Sequence, residues 1–254
     1  MKDMWDKRTQ MLETERLLLR PWKETDAEEC FKYAKDSRIG PSAGWPAHTS
    51  VENSRQVIRE VLAVPETYAI VLKETGLPVG SIGLHHNDLA KNADEAELGY
   101  WIGVPYWGRG LVPEAASELL RHAFEDLHLS CVWGRYFKGN DKSRRVQEKL
   151  GFKYQWTAEN TRLPEMDVTK TGIVNLLTKE DWSNRMKMKW IDGFEIRVNV
   201  EDGVALVSGN REGLLSLAGQ LQALADGVPG DHIHLDAYNS LEDGSAELVL
   251  ERIP

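Results

Sequence analysis

The sequence predicts a mixed α/β or α+β protein in two modules, and three observations carry that expectation. Two β-rich runs, residues 67–73 and 79–84, flank Glu74-Thr75-Gly76-Leu77-Pro78, which is a hairpin signal. Two further strand runs, 96–102 and 132–137, are separated by a helix-length amphipathic stretch, which implies a parallel crossover. The charge is uneven as well. Residues 189–254 hold 4 Lys/Arg and 12 Asp/Glu, a net of −8, out of −9 for the whole chain of 254 residues. Such asymmetry points to two modules.

The elements follow in order. Arg16-Leu17-Leu18-Leu19-Arg20 reads as a strand that Pro21 ends. Asp26 caps a helix to about Lys35, with Cys30, Phe31 and Ala34 facing the core. Residues 39–50 form a Gly/Pro-rich loop, after which Ser50 opens a helix with Val57, Val61 and Leu62 as core positions. Past the hairpin and the third strand run, Val104–Glu114 leads into a helix that buries Ala115, Ala116, Leu119, Leu120, Ala123, Phe124 and Leu127. Pro113 and Glu114 are good chemistry for its first turn. After Val132–Phe137, Asn140 or Asp141 caps another helix that Gly151 stops, and Leu176 and Leu177 mark a last strand.

A linker is expected over 184–189. Beyond it come a hairpin (194–200 and 204–208), a Leu-rich helix over 211–225 and two alternating runs, 232–235 and 247–252. The helix presents Leu214, Leu217, Ala218, Leu221, Leu224 and Ala225 as its inner face. A unit of about 65 residues is near the lower limit for independent folding.

Composition narrows the function. With 41% apolar residues, burying a core poses no difficulty, while the net −9 argues against a nucleic-acid binder or a charge-held membrane protein. Two distant cysteines, Cys30 and Cys131, fit a reducing compartment. With no apolar leader and no membrane-length run, a cytoplasmic location is expected. No metal site is expected: His232 and His234 share a strand face but lack a third ligand, and His85, His86, His122 and His128 show no motif spacing.

The chemistry concentrates in Gly108-Arg109-Gly110, placed after a strand and at a helix start. Free backbone N–H groups and a positive helix end then meet at one point, an arrangement suited to phosphate. No Lys-Ser/Thr follows and no third glycine completes a dinucleotide fingerprint. Residues 135–149 hold six cations (Arg135, Lys138, Lys142, Arg144, Arg145, Lys149) against Asp141 and Glu148, a net of +4 suited to a ligand with several phosphates.

Trp107-Gly108-Arg109-Gly110-Leu111-Val112-Pro113-Glu114-Ala115 resembles the acetyl-CoA loop of the GNAT N-acetyltransferases, most closely the branch with the ribosomal-protein N-terminal acetyltransferases. Thr14–Pro21, Glu97–Ile102, Asn140–Ser143 and Glu148–Phe152 agree in order and spacing, so the resemblance spans 12–183. It implies an α+β fold with a mixed, largely antiparallel sheet flanked by helices, and acetyl transfer from acetyl-CoA to an amine. Trp107, Gly108, Arg109, Gly110, Leu111 and Val112 are expected to bind the cofactor, with the main-chain N–H groups from Arg109 to Val112 at the pyrophosphate. Val112 is bulkier than the family's usual residue. Gly99, Tyr100, Trp101 and Ile102 are expected along the pantetheine arm, with Asn140 touching it. Ser143 is expected to protonate the departing thiolate, with Tyr154 as an alternative acid and Glu97 as the base. Trp45 and His48 are expected to border the acceptor.

Residues 231–245 resemble the signature of a small immunity-protein family of bacterial toxin systems, over 190–254. The resemblance implies a partner-binding module, and its acidity suits a basic protein. The plainer alternative is an accessory domain that stabilises the enzyme or a homodimer.

Overall fold

The computed structural model describes residues 10–186, 191, 193–236, 240–242 and 244–253, which fall into two units dividing after Lys179. In the first unit, β1 (Leu12–Glu13), β2 (Leu17–Pro21), β3 (Thr67–Leu72), β4 (Pro78–His85), β5 (Glu95–Ile102), β6 (Cys131–Phe137), β7 (Lys153–Leu163) and β8 (Val168–Thr178) share one sheet. Their order is β1-β2-β3-β4-β5-β6-β8-β7. Every pairing is antiparallel except β5 with β6, where the crossover makes the strands parallel. The fold is α+β.

Alternation along the strands supplies both faces of the core. Ala69 and Val71 of β3 pack with Trp22, Ala27, Cys30, Ala34 and Ile58, with Leu18 and Trp101 against the same cluster. That cluster joins the sheet to α1 (Ala27–Ala34) and α3 (Val51–Val57). Between these helices lies a short turn of helix, α2 (Gly40–Ala43), inside the stretch expected to be loop. On the other face, α4 (Leu111–Arg121) buries Ala115, Ala116, Leu119 and Leu120, and its extension His122–Asp126 buries Ala123 and Phe124, all as expected; Leu127 is half-buried. Next come α5 (Asp141–Lys149) and α6 (Lys179–Met186).

Three expectations shift. In α1, Tyr33 is buried and Phe31 only half-buried. After Val57 the helix widens into a π turn over Ile58–Leu62, which rotates the inner face: Ile58 is fully buried, while Val61 is 56% exposed. The strand pair β7/β8 is much longer than the Leu176-Leu177 run suggested, because polar and charged residues dominate β7. Residues 184–186, expected in a linker, lie within α6, and 187–189 lie outside the described residues.

In the second unit, β9 (Ile196–Glu201) and β10 (Val204–Gly209) form the expected hairpin, followed by α7 (Arg211–Asp226) and the antiparallel pair β11 (His232–Leu235) and β12 (Leu248–Glu251). The inner face of α7 is rotated from the expected one. Gly213, Ser216 and Gln220 are buried, whereas Leu214 is 50% and Leu221 45% exposed, and Ala218 and Ala225 are exposed too. The reason is a close approach: a Cβ on Gly213 would stand 2.1 Å from the Glu195 carbonyl oxygen, so glycine faces the chain leading into β9. Leu217 and Leu224 pack on the core of Ile196, Val198, Ile233, Leu235 and Leu241.

A buried polar network ties α4 to the sheet. His122 bonds Glu66 through Nε2 (3.1 Å) and Asp126 through Nδ1 (2.8 Å), and the Tyr68 hydroxyl donates to Glu66 at 2.7 Å. Burial pulls the His122 pKa down, but the two carboxylates outweigh it and the net shift is upward from 6.5. A raised folded-state value stabilises below the unfolded pKa, and that stabilisation fades as pH rises through the folded one. Denaturant unfolding between about pH 6 and pH 8.5 is expected to show wild type losing more stability than His122→Gln over the same window. Parallel pH curves for the two would refute the assignment.

Candidate active site

The site begins where the parallel pairing stops. β5 and β6 are in register from Glu95↔Cys131 to Leu98↔Gly134 and no further. Beyond that point β6 continues against β8, and Gly99–Ile102 continue against β4 alone. The two strands therefore splay, and the main chain of Gly99–Ile102 presents a polar edge toward the gap. An extended ligand arm can pair with such an edge as an added strand does.

That edge runs into the glycine loop. Trp107 donates its indole N–H to the Ile102 carbonyl at 3.1 Å, which folds the loop back onto the strand. Gly108 (φ +75°) and Gly110 (φ +70°) take left-handed conformations that side chains disfavour. Gly110 is the N-cap of α4, and no side chain caps that helix start, so its first N–H groups face outward for an anion. Val112 is buried, so its bulk is taken up by the core rather than by the loop surface.

The Thr14–Pro21 stretch explains itself here. Glu114, in the first turn of α4, accepts from the Arg16 main-chain N–H (2.9 Å), the Arg16 side chain (2.6 Å) and the Thr14 hydroxyl. Arg16 also donates to the Arg109 carbonyl at 3.0 Å, pinning the loop from outside. Cations gather nearby: the Lys142 ammonium lies 4.3 Å from the Trp107 ring centre, and the Arg38 and Arg109 guanidinium groups lie over Trp107 (6.0 Å) and Tyr106 (5.5 Å). Not all of the basic 135–149 stretch joins them. Arg135 pairs with Glu97 and Asp88, and Arg144 with Asp141 and Glu148.

Across the gap stands the N-terminus of α5. Asn140 caps it, accepting from the Ser143 N–H at 3.2 Å, and its amide donates to the Ser42 carbonyl at 3.3 Å. The Tyr100 hydroxyl lies 2.8 Å from Ser143 Oγ. Burial pushes the Tyr100 phenol up to about 12, so it stays protonated and can back a proton from Ser143. Only a main-chain role is expected of Tyr100 from its place in the strand; the signal for its side chain is β-strand alternation, which sends Leu98, Tyr100 and Ile102 to the same face.

The opposite face carries Glu97. It is buried, with Arg135 Nη2 at 3.3 Å and the Asn87 amide in close contact. Burial raises its pKa against the pull of Arg135 and Asn87. His85 is its cross-strand neighbour, and burial lowers that imidazole's pKa from 6.5. Trp101 shares this face, stacks on Trp22 (ring centres 6.3 Å apart) and meets Trp45 edge-on (5.9 Å). His48 is buried with its Nδ1 2.7 Å from Ser54 Oγ, a packing role on that cluster's border. Tyr154 is not brought to Ser143: it lies on β7, beyond β6 and β8, is 62% exposed, and bonds Thr157. Among the described residues, no group of three His, Cys, Asp or Glu is placed to hold a metal, and no helix is long and apolar enough to cross a membrane.

A mixed sheet that splays at one parallel pair, with a glycine loop at the following helix start, defines the acyl-CoA N-acyltransferase class. The family described as the acetyltransferase (GNAT) domain matches residues 16–153, and the chain belongs to it. The uncharacterized N-acetyltransferase YoaA of Bacillus subtilis (strain 168) is 30% identical over 147 residues, covering 56% of this chain and 82% of its own. The ribosomal protein uS5-alanine N-acetyltransferase of Escherichia coli (strain K12) is 28% identical over 86 residues, 34% of this chain and 44% of that one. A solved GNAT acetyltransferase from Bacillus anthracis shares the fold with a TM-score of 0.61 at 21% identity, covering 67% of this chain and 99% of that one. The C-terminal residues 205–253 match the immunity protein 32 family.

Glu114→Ala is expected to cost about 1–3 kcal/mol, since it strands Thr14 and Arg16 and loosens the loop. Denaturant melts measure the cost. Hydrogen exchange should quicken at the Arg109–Val112 amides, and unchanged exchange there would rule out the pinning role.

Proposed function

We propose that this protein transfers the acetyl group of acetyl-CoA directly to a primary amine of a peptide N-terminus or small molecule. The observation that carries the reading is the unpaired Gly99–Ile102 edge running into the uncapped start of α4. In this reading the pantetheine amides pair with that edge, and Asn140 adds a contact from the far side. The pyrophosphate sits on the N–H groups from Arg109 to Val112, with Lys142 and Arg109 beside it. The thioester carbonyl then lies between Ser143 and the face that holds Glu97. The acceptor ammonium gives up a proton to a base on the Glu97 face, the freed amine attacks the carbonyl carbon, and the C–S bond breaks with its electron pair moving to sulfur. Ser143, backed by Tyr100, protonates that sulfur and regains a proton from solvent, to which the nitrogen's surplus proton leaves. Glu97 is the carboxylate that draws the acceptor ammonium in. The name of the E. coli relative supports a protein N-terminus as acceptor.

The match of residues 205–253 to an immunity-protein family supports a second reading for the C-terminal unit, as a module that binds a partner. Its surplus of acid suits a basic protein.

Acetyl-CoA at millimolar concentration is expected to raise the Tm of the full chain, and no shift would sink the reading. Ser143→Ala is expected to lower kcat about tenfold or more while leaving acetyl-CoA affinity within about threefold. Equal losses in both would make Ser143 a binding residue only.

A further inference from the structure

Within the proposed transferase reading, on which this inference rests, one side chain at the apex of the splay has no assigned role. We propose that His85 is a catalytic residue that takes the proton from the acceptor ammonium, with Glu97 holding that ammonium in place.

The geometry is specific. On β4, His85 faces Glu97 of β5, and Gly83 faces Gly99 two pairs further along. All four lie on one face of the sheet, because partners across a strand pair share a face and residues two apart repeat it. The His85 ring occupies the space beside the two glycines. A Cβ on Gly83 would stand 3.0 Å from its Cε1, and a Cβ on Gly99 would stand 3.2 Å from Cδ2 and 3.3 Å from Nε2. Any larger residue at 83 or 99 would therefore displace the ring. Nε2 is thus held over Gly99, the first residue past the last β5–β6 pair, where the thioester arm is proposed to begin.

The neighbours leave the ring available. Among the described residues, no hydrogen bond or ion pair engages His85. Its half-buried position disfavours the charged form, and burial is the cause of its lowered pKa. The groups around it are Glu97 on β5, Thr67 on β3, Asp88 in the following loop, Arg135 on β6 beyond Glu97, and His86 next in the chain. Thr67 Oγ1 is buried without a partner and stands 2.9 Å from the same Gly83 Cβ position. Glu97 by contrast already accepts from Arg135 and Asn87. A carboxylate so engaged suits ammonium binding better than it suits proton uptake.

The ammonium N–H gives its proton to His85 Nε2, and the freed lone pair forms the N–C bond to the thioester carbonyl carbon. The C–S bond then breaks with its pair on sulfur, which receives a proton from Ser143. The nitrogen's surplus proton leaves to solvent, from which Ser143 is reprotonated, and His85 releases its own. One amide, one CoA thiol and one proton result.

The test uses the full chain with acetyl-CoA and two acceptors, a short peptide with N-terminal alanine and spermidine, read by thiol release. His85→Gln is expected to lower kcat at least about 100-fold with acetyl-CoA affinity unchanged. Wild-type kcat/KM should rise through a limb below 6.5, and in the variant that limb should move up to the acceptor's own ammonium pKa. His85→Ala should regain turnover with added imidazole, which a packing role would not allow. Unchanged kcat and pH profile in His85→Gln, or no rescue of a folded His85→Ala, would overturn the proposal. NMR of the imidazole C–H signals tests it without any acceptor. The His85 signal should titrate below 6.5 and move when acetyl-CoA binds; a midpoint above 7, or no movement with bound acetyl-CoA, would also overturn it. Failure of acetyl-CoA to bind wild type would instead fault the transferase reading.

Discussion

The separation of β5 from β6 after Leu98↔Gly134 is the constraint on which the site depends. Two parallel strands would ordinarily zip on, since each unmade main-chain hydrogen bond carries a cost. Here α5 holds them apart. Its Gln147 side chain is buried and accepts from Asn175 of β8 at 2.7 Å, while Gln147 and Phe152 stand about 3 Å from where a Gly134 Cβ would lie. That side of α5 belongs to β6 and β8. Its first turn belongs to β5, through Ser143 and Tyr100. One helix thus fixes both lips of the gap, and the same contact that keeps the gap open sets Ser143 beside it.

The loop side follows the same economy. Glu114 sits in the first turn of α4, where an acidic residue is favoured by the helix dipole, yet its carboxylate is turned outward to Thr14 and Arg16. The outward turn leaves the N–H groups of that turn without a side-chain cap. A helix start without a side-chain cap, and held from outside by the turn between β1 and β2, is prepared for an external anion. The Thr14–Arg16 segment is therefore part of the site though it lies far from it in sequence.

Much of this was legible in the sequence. Local signals survive translation into structure: Ser50 and Asn140 cap their helices, Gly108 and Gly110 take positive φ, and the α4 apolar face is buried as its spacing says. What was not legible depends on partners that spacing cannot see. The π turn at Ile58–Leu62 rotates a face by inserting one residue per turn, and Gly213 rotates α7 because the Glu195 carbonyl comes close. Tyr154 looked near because it follows Gly151-Phe152, but antiparallel insertion of β8 puts two strands between it and β5. The cations of 135–149 looked like one group, and strand alternation sends Arg135 to the opposite face, onto Glu97.

His85 shows how such a residue hides. In sequence it belongs to a His-His pair ahead of a polar loop, where its neighbours say nothing of chemistry. Only the sheet register sets it over Gly83 and Gly99, and those two glycines then acquire a common reason: neither turns the chain, and both leave room for one ring. Gly99 meets two demands at once. Its missing side chain admits the imidazole on one face, and its main chain starts the unpaired edge in the plane of the sheet. A substitution at Gly99 would thus strike both sides of the reaction together. Substitution at Gly83 would press on the ring together with the Thr67 hydroxyl and the Glu66 carbonyl, away from the unpaired edge that begins at Gly99, so this pair of positions separates the proton's path from the cofactor's.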